Sequence, residues 1–75
     1  MAMSVKDCND ISSGLCDWFE SQDIDPSHGM TAMAYLIGVM SAHVGKDMEE
    51  TMSLCDITAA VSKAVAKQAF LKKIN

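Results

Sequence analysis

Met30-Thr-Ala-Met-Ala-Tyr-Leu-Ile-Gly-Val-Met-Ser-Ala-His-Val44 carries apolar or small side chains in almost every helical direction. Met30, Met33, Ile37, Met40 and Val44 recur in alternating steps of three and four, while Tyr35, Leu36 and Val39 cover the flanks and back of the same helix. In a chain of 75 residues, such a helix must be enclosed by two other helices or by another chain. Asp25-Pro26 precedes the stretch: Asp caps free helix amides, and Pro brings a preset φ to the first helical position. Gly45 follows it and reads as a left-handed stop, so the pattern predicts a helix over 26–44.

Towards the N-terminus, Ser4 and Asp7 have the spacing of a capping box with a shortened acid, and Val5, Cys8, Ile11, Leu15, Trp18 and Phe19 then recur at helical steps. They predict a helix over 5–21 with Asp7, Asp10, Asp17 and Glu20 on its outer face. Gly14 weakens its middle by about 1 kcal/mol relative to Ala. Ile24 is expected to pack as a hydrophobic staple before Pro26. Towards the C-terminus, Asp47 and Glu50 repeat the cap-and-acid spacing and open a third helix over 48–72. There Met48, Met52, Cys55, Ala59, Ser62, Ala66 and Phe70 make one strip, and Leu54, Ile57, Val61, Val65 and Ala69 make another beside it. Short connections set successive helices antiparallel. The expected fold is all-α, a compact three-helix bundle forming one domain over 1–75. A domain of this length buries only about 60% of its unfolded surface, which favours dimerisation.

The net charge of −4 is unevenly distributed. Residues 1–30 hold Asp7, Asp10, Asp17, Glu20, Asp23 and Asp25 against Lys6, whereas residues 61–75 hold Lys63, Lys67, Lys72 and Lys73 with no acid. The chain has no Arg, the residue on which base-edge recognition most relies, and its basic stripe is short, so nucleic-acid binding is disfavoured. Cys8, Cys16 and Cys55 are odd in number and lack CxxC spacing, which argues against a disulfide framework or a metal knuckle and for buried thiols in a reducing compartment. The first ten residues are polar and carry charge, unlike a signal peptide, and the apolar stretch is short for a membrane span. A cytoplasmic, membrane-free chain is expected.

Catalytic patterns are missing as well. His28 and His43 lie at opposite ends of the second helix, too far apart to share an ion within one chain. No His or basic pair lies near a cysteine in sequence to activate a thiolate, and GxSxG, phosphate-loop, HExxH and calcium-loop patterns do not occur. Acyl carrier proteins are similarly small, acidic and helical, but their Asp-Ser-Leu motif has no counterpart in Asp25-Pro26-Ser27-His28-Gly29. No enzyme activity, metal or cofactor is expected.

The Trp18-Phe19 helix end, the Asp25-Pro26 start and the Gly45-Lys46-Asp47 break give the chain a layout that resembles the small all-helical accessory proteins of phages and prophages. That resemblance implies a protein that binds and inhibits a host or defence protein. The expected function is therefore a non-enzymatic interaction module, an adaptor or inhibitor acting by steric blocking or acidic surface mimicry. Its expected interface comprises Met30, Met33, Ile37, Met40, Val44 and Met52, buried against a second copy. Asp7, Asp10, Asp17 and Glu20 are left for a basic protein partner. The alternatives are a bundle that holds a small apolar ligand among its methionines and a small regulator that uses its lysines on nucleic acid.

Overall fold

The computed structural model describes residues 3–74. It contains three helices, α1 (Val5–Ser21), α2 (Pro26–Val44) and α3 (Met48–Ile74), and no strand among the described residues. The all-α, three-helix reading of the sequence holds, and α1 and α2 occupy the residues expected of them. α3 runs past residue 72 because no Gly or Pro follows Gly45, and Lys72 and Lys73 complement the negative end of the helix dipole in its last turn. The chain divides into two compact units, Met1–Met33 and Ala34–Asn75, with the division inside α2.

In the first unit, Ser4 caps α1 by accepting from the Asp7 amide at 3.0 Å. α1 then ends in a Schellman motif. The Ile24 amide donates to the Phe19 carbonyl at 3.0 Å, the Asp23 amide to the Glu20 carbonyl at 3.0 Å, and Asp23 takes a left-handed φ of 56°. Asp25 opens α2, its Oδ1 accepting from the Ser27 amide at 2.8 Å and the Ser27 hydroxyl at 2.7 Å. The fourth residue of α2, where a staple would place its partner for Ile24, is Gly29. Gly29 has no side chain to serve as that partner, and the Phe19 ring lies against it, 3.6 Å from where a Cβ would stand, an ordinary contact distance. Gly29 is buried, and Phe19 and Ile24 are half-buried.

In the second unit, Asp47 caps α3 by accepting from the Glu50 amide at 2.8 Å. Gly45 corrects the sequence expectation. No glycine among the described residues has positive φ, so Gly45 is not a left-handed stop. Space is what requires glycine there, because a Cβ at Gly45 would lie 2.9 Å from both the Cα and the amide nitrogen of Thr51. The chain turns so tightly into α3 that its backbone passes directly over Gly45.

Burial corrects two further expectations. No apolar side chain is buried among the described residues. Along α3, partial burial is confined to Glu50, Thr51, Leu54, Cys55 and Thr58, and residues 59–73 are exposed, so neither long apolar strip is covered over its length. Cys8 and Cys16 are exposed free thiols rather than buried ones, and only Cys55 is half-buried. The two exposed thiols lie on an amphipathic helix whose own unit has too few side chains to cover it.

Candidate interaction surface

In the second unit, Ile37, Met40, Ser41 and Val44 of α2 face Leu54 and Thr58 of α3 across an open apolar groove of about 220 Å³. Ser41 is the buried side chain at this contact, 6% exposed. Its small hydroxymethyl group lets the helices approach closely, and the polar residues of α3 beside it are satisfied locally. Thr51 donates to the Asp47 carbonyl at 2.8 Å and Thr58 to the Cys55 carbonyl at 2.9 Å. Apolar periodicity alone therefore missed Ser41, Thr51 and Thr58. The signal that could have found them is helical spacing: Ser41 lies one turn from Ile37 and from Val44, and Thr51 and Thr58 lie one turn to either side of Leu54.

Three of the expected interface residues, Ile37, Met40 and Val44, thus come together on the groove. Met40 and Val44 still keep more than half of their surface in water. Met52 is exposed on α3, outside the groove lining. Met30 and Met33 belong to the first unit, the former exposed and the latter half-buried. On α2, Ala34, Gly38 and Ala42 form a stripe of small residues, and a Cβ at Gly38 would meet nothing within 4 Å.

The expected acidic face of α1 is exposed at Asp7, Asp10, Asp17 and Glu20. Asp10 pairs with Lys6 at 2.9 Å, an exposed i,i+4 contact that contributes at most about 0.5 kcal/mol. Asp7 favours the helix dipole from the first turn, while the last turn holds no basic residue to offset Glu20. The face therefore carries more negative charge than its own helix neutralises. Asp25 has the clearest electrostatic signature: hydrogen bonds from the Ser27 hydroxyl, and then from the Ser27 amide, hold its carboxyl below the ordinary value.

His28 and His43 are both exposed. Among the described residues, no three His, Cys, Asp or Glu side chains converge as a metal ion would require, and no helix is long and apolar enough to cross a membrane. Comparison with protein-family models, curated protein sequences and solved structures finds no match.

Proposed function

We propose that this chain is a non-enzymatic protein–protein interaction module that pairs with a second copy of itself through α2 and the first half of α3. In this reading the acidic face of α1 remains available to a basic partner. The observation that carries it is the exposure of Met30 (72%), Tyr35 (78%), Val44 (67%) and Met48 (76%) in a chain without a buried apolar side chain among the described residues. A folded chain gains most of its stability from removing such surface from water, at about 25 cal/mol per Å². A second copy removes it without adding sequence.

The groove of about 220 Å³ favours this over a small-ligand site. Ligand pockets are typically about 300–1,000 Å³ and enclose most of the ligand, whereas an open groove of this size suits one inserted side chain. Adaptor or inhibitor action then follows by steric blocking or acidic mimicry of a surface. A reducing, cytoplasmic setting is part of this reading, and three cysteines, odd in number and without CxxC spacing, are in keeping with it.

Gly38→Leu tests the seam. A Cβ there meets nothing within 4 Å, and Leu is the better helix former, so the helix should tolerate it while close approach of a second α2 should not. Light scattering coupled to gel filtration should give a dimer for the parent chain and a monomer of unchanged helicity for the variant. A parent chain that is monomeric across the whole concentration range refutes self-association. A variant that dimerises as tightly as the parent refutes this seam.

A further inference from the structure

Resting on the self-association reading above, we propose that the second copy joins by exchange: the turn between α2 and α3 opens, and the α2–α3 contact of one chain is remade between two. Every residue this needs lies in the second unit. The connection is only Gly45-Lys46-Asp47, and no stop conformation ends α2 there. The Gly45 amide still donates to the Ser41 carbonyl at 2.8 Å, the four-residue bond of an α-helix, and Gly45 lacks a positive φ. No proline follows Pro26, and Lys46, Met48, Glu49 and Glu50 are good helix formers, so Gly45 and Asp47 are the weak points of a helix that would otherwise run from α2 into α3. An unbroken helix would set Lys46 one turn from Glu50, an opposite-charge pair that the closed turn does not make.

Gly45 is the latch on this exchange. Its missing side chain admits the Thr51 backbone, whose Cα and amide nitrogen would lie 2.9 Å from a Cβ, and glycine is a poor residue for a helix interior. Both properties favour the closed turn over the open helix. The contact to be remade joins Ile37, Met40, Ser41 and Val44 of α2 to Leu54 and Thr58 of α3, with Ser41 buried between them. Exchange gives each of these residues the neighbours it already has, and a second copy of this chain carries those neighbours by construction. Short connections invite such exchange, and two copies that open together close on each other reciprocally about a two-fold axis.

Cross-linking between copies tests the exchange. In a background of Cys8→Ser, Cys16→Ser and Cys55→Ala, one copy carries Ser41→Cys and another Thr58→Cys, and the two are unfolded, mixed and refolded together. A short bismaleimide should join them, with the bridged peptides identified by mass as those of positions 41 and 58. A chain carrying both substitutions is the control, since it brings the two thiols together whether closed or exchanged. A dimer in which the control is bridged only within single chains, and the mixture gives no 41-to-58 bridge, overturns exchange while leaving the α2 seam intact. Gly45→Ala should tighten the dimer roughly tenfold or more on dilution in light scattering, because the open helix admits the Cβ and the closed turn does not. An unchanged or weaker dimer of native helicity counts against the latch, and the cross-link, which keeps Gly45, decides the exchange if that variant fails to fold. A monomeric parent chain overturns the self-association reading itself, and exchange with it.

Discussion

The two connections between helices solve the same problem in opposite ways. After α1 the chain needs a left-handed residue and uses Asp23, whose Cβ makes that conformation costly. After α2 the backbone needs no left-handed residue, yet glycine is present because Thr51 leaves no room for a Cβ. Gly29 makes the contrast sharper, since the Phe19 ring lies at ordinary contact distance from where its Cβ would stand. A glycine in a sequence therefore marks a conformation, a crowded approach or neither, and only the surroundings distinguish them.

Alanine at each glycine puts this contrast under the greatest strain. Gly45→Ala should destabilise the chain by about 1–3 kcal/mol, because a backbone neighbour cannot yield as a flexible side chain would. Gly29→Ala should stabilise it by up to about 1 kcal/mol through helix propensity alone. Chemical denaturation followed by circular dichroism separates the two, and equal effects at both glycines would break the comparison. At the first connection, Asp23→Gly should add up to about 1 kcal/mol by relieving the left-handed cost, read as a higher denaturation midpoint at unchanged slope. A lower midpoint would mean that the Asp23 side chain holds the turn in a way its backbone does not reveal.

The smallest effect concerns pH at the start of α2. The folded Asp25 carboxyl lies below its ordinary value of 3.8, so it contributes stability above that value and loses the contribution as pH falls through the lower folded value. The Ser27 amide resonance should report a midpoint below 3.8 in the parent chain, and Asp25→Asn should remove that titration. A midpoint at or above 3.8 would show that the Ser27 hydrogen bonds do not favour the charged form.

Helix limits were legible because their determinants are local. Ser4, Asp25 and Asp47 each reach an amide two or three residues away, a distance that sequence displays directly. The left-handed Asp23 was less visible, since Asp there carries no distinctive signal. The five-residue spacing of Phe19 and Ile24, the apolar pair of a Schellman motif, would have pointed to it. The interaction surface was only partly legible. Periodicity marked Ile37, Met40 and Val44, but it could not show that Ser41 and Thr58 would share their groove or that α3 would lack cover beyond Thr58. Those facts depend on which neighbours reach a helix, and a one-dimensional pattern does not record them.

The same local caps have a kinetic consequence. Every helix start is closed by a side chain within one turn, so each helix nucleates without waiting for a distant segment. Helix formation then falls on the microsecond scale. For a chain proposed to meet its own copies, this separates ordering from encounter: the colliding species already present formed helices, and the speed of assembly is governed by diffusion, orientation and the ions between them.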